Sequence, residues 1–165
     1  QNIWIEEMKK QLADFPGLNL VTTVYGDDQS DKSYREAQGL LSSQPNVKVI
    51  VAPTTVGVLA ASQAVKDAGK IGEVYVTGLG LPSEMAGAIK SGATKEFAIW
   101  NPIDLGYSAT QIAYHLVKGD TDGAPGSEIE AGRMGKIKIG DNGEAAMADP
   151  FVYDASNIDE FSKIF

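Results

Sequence analysis

The chain has no cysteine and a single histidine among its 165 residues, and these two scarcities remove several chemistries at once. Disulfides, thiolate zinc sites, iron–sulfur clusters and thiol nucleophiles all need a residue it does not have. His115 has no second imidazole with which to share a metal, so a histidine metal site is not expected. The compartment stays open, because exported proteins can also lack cysteine. Basic charge is scarce as well. Fourteen Lys and Arg against 22 Asp and Glu give a formal net charge of -8, and no basic cluster offers a phosphate backbone a place to dock. Nucleic acid is therefore not an expected partner. No apolar run approaches the roughly 20 residues that a membrane span requires, so no membrane insertion is expected. The chain opens on Gln1-Asn2-Ile3-Trp4 with neither an initiator Met nor a charged-then-apolar leader, which reads as a processed or cut end.

What is present fits a soluble globular domain. A hydrophobic share of 43% and a charged share of 22% argue against wholesale disorder, and the length suits one core. Four short β-branched runs, Leu18 to Tyr25, Val47 to Ala52, Glu73 to Gly78 and Lys95 to Trp100, suit strands buried on both faces. Helical patterns lie between them. The first, Ile3 to Phe15, puts Trp4, Met8, Leu12 and Phe15 on one face as core, pairs Glu6 with Lys10, and stops at Pro16-Gly17. The second, Ser30 to Ser43, turns Tyr34, Ala37 and Leu41 inward and ends before Pro45. The third follows Thr54-Thr55, is apolar nearly all round through Val56, Val58, Leu59, Ala60 and Ala61, and closes near Gly69. The fourth opens at Pro82 and closes at Gly92.

Strands alternating with helices at this spacing predict parallel pairing through right-handed crossovers, hence an α/β doubly wound parallel sheet. After the turn-rich Gly119 to Ser127 the pattern changes. Gly132 to Ile139 alternates, Asp141-Asn142-Gly143 reads as a tight turn, and a short helix starts at Asn157. These predict a C-terminal hairpin extension.

In an open parallel sheet, ligands bind beyond the carboxyl ends of the strands, where loops and helix N-termini converge. Those ends are Gly26 to Asp28, Pro53 to Thr55, Leu79 to Leu81 and Asn101 to Asp104, and Gln1 and Asn2 join them if a strand precedes. Familiar catalytic motifs fail there. Asp27-Asp28 imitates the acidic pair of a phosphorylatable receiver, but Gly80 and Asn101 stand where an acceptor Asp and a Lys are needed; helix capping is the plainer use of either carboxylate. Gly78-Leu79-Gly80 lacks the third glycine of a dinucleotide loop. Gly106-Tyr107-Ser108 lacks the second glycine of a hydrolase elbow, and His115 lies on the same helix as Ser108. Trp100-Asn101 is open to two readings: a core Trp with a turn-forming Asn, or a stacking ring and amide for a neutral polyol. Of Thr54 and Thr55, one caps the third helix and the other is free to face a ligand.

Taken together, Gln1-Asn2-Ile3-Trp4, Val51-Ala52-Pro53-Thr54-Thr55, Gly78-Leu79-Gly80-Leu81-Pro82, Lys95 to Pro102 (KEFAIWNP) and Asn157-Ile158-Asp159 resemble one family. It is the sugar-type periplasmic binding proteins of ABC importers, in the branch of rhamnose-binding and autoinducer-2-binding proteins. The resemblance runs over essentially the whole chain. It implies a type I fold of two doubly wound lobes that enclose a ligand, of which this chain is the carboxyl-terminal half. Residues 1–102 would then be the ligand-binding lobe. Residues 103–126 would be a crossover helix and linker that pack on an amino-terminal lobe absent from this chain, and residues 127–165 a hairpin and C-terminal extension. The apolar stripe Leu105, Ala109, Ile112, Ala113 and Leu116 would point away from this lobe.

By the same resemblance, Gln1 matches a ligand-binding Gln of the autoinducer-2 binders, and Pro53 and Thr55 match two further contact positions. Asn2, Thr54 and Leu81 share that edge, and Trp100 and Asn101 fall at the pocket end of the strand before the final crossing. Thr54-Thr55 departs from the Asp-Ala of the autoinducer-2 binders, which favours a rhamnose-like deoxyhexose. The implied role is that of a periplasmic or tethered extracellular solute receptor. It would close on its sugar by a hinge motion and deliver it to a membrane permease, without catalysis, cofactor or metal. The alternative is the effector-binding domain of a sugar-responsive transcription regulator, which shares the fold.

Overall fold

The segment richest in small apolar residues becomes the centre of the first of two compact units in the computed structural model, which describes residues 1–165. The first unit comprises residues 1–98 and 152–165, the second residues 99–151. In the first, α3 (Thr55–Asp67) buries Val58, Ala60, Ala61, Ala64 and Val65. Its small side chains let neighbours approach closely. Against it lies α2 (Ser30–Ser43), through buried Ala37 and Leu41, while the Tyr34 hydroxyl donates to Asp67 Oδ2 at 2.8 Å. That hydrogen bond holds the phenol below its usual readiness to ionise, with partial burial adding to the effect.

Strands β1 (Val49–Ala52) and β2 (Tyr75–Gly78) pair in parallel, with Val49 opposite Tyr75 and Ala52 opposite Gly78. At their carboxyl ends the backbones come so close that a Cβ on Gly78, whose φ is 146°, would sit 2.0 Å from the Ala52 carbonyl oxygen. Only glycine fits there. Helix α4 (Pro82–Ser91) starts on Pro82, whose missing N–H costs nothing at that position, and stops at Gly92 in the left-handed region. A single parallel bridge from Leu79 to Ala98 joins the β1–β2 pair to β3 (Glu96–Ile99), and β6 (Phe151–Asp154) pairs with β3. Tyr153 on β6 is 1% exposed, stacked on Phe97 at 5.3 Å and met edge-on by Phe161 of α6 (Ile158–Phe161) at 5.2 Å. Burial pushes its phenol pKa up. Two buried hydroxyls satisfy each other: Ser62 donates to the Val58 carbonyl at 2.7 Å, which leaves Thr94 to donate to Ser62 at 3.1 Å.

In the second unit, α5 (Pro102–Lys118) is capped by Asn101, whose Oδ1 accepts from Ile103 N at 2.9 Å and Asp104 N at 3.4 Å. Asn101→Ala is expected to cost about 1 kcal/mol through those lost bonds, read as a lower midpoint of heat denaturation; an unchanged midpoint would contradict the cap's role. At the other end His115 Nδ1 and Lys118 Nζ lie 2.8 and 3.1 Å from Asp120 Oδ2. The His115 contact, then that of Lys118, holds the Asp120 carboxyl below the usual carboxylate range. Leu105, Ala109, Ala113 and Leu116 are exposed and Ile112 half-buried, so the apolar stripe of α5 is largely uncovered, with neighbouring Val117 90% exposed. Strands β4 (Glu128–Glu130) and β5 (Lys136–Lys138) form an antiparallel hairpin around a one-turn helix at Gly132–Met134. Arg133 on that turn pairs with Asp104 and stacks over Tyr107, 3.9 Å from its ring centre.

The α/β class and the parallel pairing agree with the sequence reading, as do the bounds of α2, α3 and α4. Other expectations need correction. Leu18 to Tyr25 is no strand: it has no ladder partner and every one of its side chains is exposed, so no buried face fixes a register. The first helix is α1 (Asn2–Gln11) followed by a 3₁₀ turn at Leu12–Asp14. Trp4 and Phe15 are exposed at 45% and 56%, and Ile5, Met8 and Leu12 are only half-buried, so this face is no core stripe. Its ion pairs are spaced one residue closer than expected, Glu6–Lys9 at 2.8 Å and Glu7–Lys10 at 2.6 Å. The β4–β5 hairpin closes at 131–135, where Gly132 and Gly135 both supply positive φ. The tight turn expected at Asp141-Asn142-Gly143 forms as well: Gly143 N donates to the Gly140 carbonyl at 3.0 Å, Gly140 N donates to the Glu144 carbonyl at 2.8 Å, and Ile139 bridges Ala145 in antiparallel fashion.

Candidate functional site

Because β1 and β2 are parallel and in register, the segments that leave them, Pro53 to Thr55 and Leu79 to Leu81, depart from the same end of the sheet. Thr54 is the N-cap of α3: its Oγ1 accepts from Gly57 N at 2.8 Å. A hydroxyl that accepts in this way keeps its own hydrogen to donate elsewhere. Beside it opens a cavity of about 360 Å³ within the first unit, lined among others by Gln1, Asn2, Asp27, Asp28, Glu36, Pro53 and Thr54. Its floor is apolar, from Ile5, Val24, Ala37, Ile50 and Ala61. An apolar floor with a few convergent polar groups is the usual build of a small-molecule site.

Each polar group arrives for a local reason. Gln1 stands at the N-cap position of α1 but makes no side-chain cap bond, so its amide is not spent on the helix. Gly26 meets α2 where a Cβ would lie 2.1 Å from Ser33 Oγ. The Gly26 carbonyl accepts from Gln29 N at 3.0 Å, and between them Asp27 and Asp28 both take the left-handed conformation, φ 51° and 55°. Asp27 is paired with Lys32 at 2.5 Å. Neither carboxylate caps α2, whose N-cap is Gln29 without a side-chain bond, which corrects the capping expectation. No Lys, Arg or His lines the cavity.

Of the residues singled out in the sequence, the structure brings Gln1, Asn2, Pro53 and Thr54 together. Thr55 is the half-buried first residue of α3 and does not line the cavity. Leu81 is likewise outside it, its carbonyl accepting from Glu84 N and Met85 N at the start of α4. Trp100 and Asn101 belong to the second unit, where Asn101 is the cap of α5. The sequence reading passed over Asp28 and Glu36 as site residues. Asp28 had a signal, its place just beyond a β-branched run; Glu36 had none, since only the pitch of α2 turns it to the cavity.

Comparison with known proteins gives one family and a set of solved structures. The family described as "Periplasmic binding protein domain" matches residues 1–121. A sugar ABC transporter structure from Actinomyces odontolyticus is 41% identical, with a TM-score of 0.85, over 98% of this chain and 53% of its own. An ABC transporter solute-binding protein from Clostridium phytofermentans, with bound L-rhamnose, is 38% identical with a TM-score of 0.91, over 100% of this chain and 56% of its own. LsrB from Clostridium saccharobutylicum in complex with AI-2 shares the fold at a TM-score of 0.85 and 17% identity. The chain thus spans a little over half the length of the first two.

Proposed function

The chain belongs to the periplasmic binding protein domain family, and from that premise we propose that it forms one lobe of a sugar receptor serving an ABC importer. The observation that carries this reading is the likeness along the full chain to a solute-binding protein with bound L-rhamnose. A rhamnose-like deoxyhexose is the proposed ligand. The receptor works outside the cytoplasm, closes two lobes around the sugar and presents it to a membrane permease; it performs no catalysis. The solved structures at 41% and 38% identity support transport over the regulator reading. No helix of the chain is long and apolar enough to cross a membrane.

The site residues proposed on the first unit are Gln1, Asn2, Pro53 and Thr54, which share the cavity, with Thr55 and Leu81 as further contacts. Sugars present both apolar C–H faces and hydroxyls that donate and accept. An apolar floor with uncharged amides and a spare Thr hydrogen supplies partners of both kinds. A thermal-shift screen of the full-length protein tests the ligand class. L-Rhamnose is expected to raise the melting temperature, since saturating ligand at about 100 times Kd adds about 2.7 kcal/mol to the bound state. A shift with nucleotides or sugar acids and none with neutral sugars would contradict the proposal.

A further inference from the structure

We infer that Asp28 is a ligand-contacting residue that selects uncharged sugars, an inference that rests on the sugar-binding reading above. Two neighbouring acidic residues of the turn after Tyr25 line the cavity, and the structure treats their carboxylates differently. Asp27 is engaged by Lys32. Asp28 makes no hydrogen bond or ion pair within the chain and is not used as a cap, although it lines the same cavity as the Gln1 and Asn2 amides and the Thr54 hydroxyl.

Those groups together complete what a sugar needs. Each hydroxyl of a pyranose is both donor and acceptor, so a site that holds several of them must offer both. The amides and the Thr54 hydrogen provide the donors, and an ionised carboxylate is the strongest acceptor a protein has for an O–H. Asp28 therefore gains most from a ligand that brings hydroxyl hydrogens. The same placement works against acids. With Glu36 also lining the cavity and no basic side chain there, a uronate or sugar phosphate would set its charge beside two carboxylates that nothing neutralises. Like charges brought together out of water are repelled, and this is how a site rejects a close relative of its ligand.

The test is calorimetry on the full-length protein with L-rhamnose and with D-galacturonate, comparing the wild type with Asp28→Asn. Asparagine keeps the size and tolerates the positive φ of this position, so the variant removes the charge and little else. The wild type is expected to bind L-rhamnose and not galacturonate. Asp28→Asn should weaken L-rhamnose by about tenfold or more, the worth of a hydrogen bond to a charged group, and narrow the gap between the two sugars. Rhamnose affinity within about twofold of wild type, with the gap unchanged, would overturn the inference. Should the variant melt lower without ligand, the ratio of the two affinities still decides, and an unchanged ratio overturns it. A wild type that binds no neutral sugar would instead sink the sugar-binding reading, and this inference with it.

Discussion

Tyr153→Ala is expected to lower the stability of the chain by about 3–5 kcal/mol, the cost of truncating a large aromatic in a packed core. The position has no room to relax cheaply. Tyr153 is 1% exposed, its ring lies on Phe97 at 5.3 Å, and Phe161 and Phe165 meet it edge-on at 5.2 and 6.3 Å. Such aromatic pairs add about 0.5–1.5 kcal/mol each beyond burial. The loss also reaches beyond one side chain, because Tyr153 ties β6 and α6 back to a strand that lies more than fifty residues earlier in the chain. Without it the tail from Val152 should detach, leaving Phe97 in water and β3 without its partner. At about 2–4 °C per kcal/mol for a chain of this size, the melting temperature should fall by roughly 10 °C. A fall of less than about 3 °C would mean that the returning tail is an ornament on the first unit rather than part of its core.

That tail is also where the sequence was hardest to read. The stretch from Phe151 to Asp154 is four residues long and comes after a polar region; nothing local distinguishes a strand that will pair with β3 from an irregular tail. The helices were easy for the opposite reason. Ser30 to Ser43, Thr55 to Asp67 and Pro82 to Ser91 carry their own stops in Pro45, Gly69 and Gly92, and the cap of α3 is Thr54, one of the two threonines open to that role. Periodicity failed where it had to say what a face meets. It found the stripe of α1 but not that Trp4 and Phe15 would be exposed, and it made Leu18 to Tyr25 a strand although pairing depends on a partner edge that composition does not encode.

The candidate site divides along the same line. Pro53 and Thr54 were legible because a strand end followed by a helix cap is a local pattern. Gln1 and Asn2 needed the resemblance, since a short amide pair before a helix has no signature of its own. Asp28 was in view as one of an acidic pair, yet its aim is set by the close approach of Gly26 to Ser33 and by two consecutive left-handed residues. Side-chain direction at such a turn is a three-dimensional fact. Glu36 depends in turn on how α2 packs on α3.

The second large effect concerns affinity. The full-length protein is expected to bind L-rhamnose at least a hundredfold more tightly than residues 1–165 alone, a difference of about 2.7 kcal/mol. On the two-lobe proposal a single lobe encloses the sugar on one face only, so water competes for each hydrogen bond. A bond made in competition with water contributes only about 0.5–1.5 kcal/mol net, and a few of them barely offset the freedom a small sugar loses on binding. Enclosure removes that competition and adds contacts on the far face of the ring. Whether this chain is one of two lobes that together hold a neutral sugar is decided by calorimetric titration of L-rhamnose into the full-length protein and into residues 1–165 side by side. Saturable one-to-one binding by the full-length protein is expected, with weak or undetectable heat from the single lobe. Equal affinity in both, or no binding of any neutral sugar by the full-length protein, would contradict the two-lobe proposal.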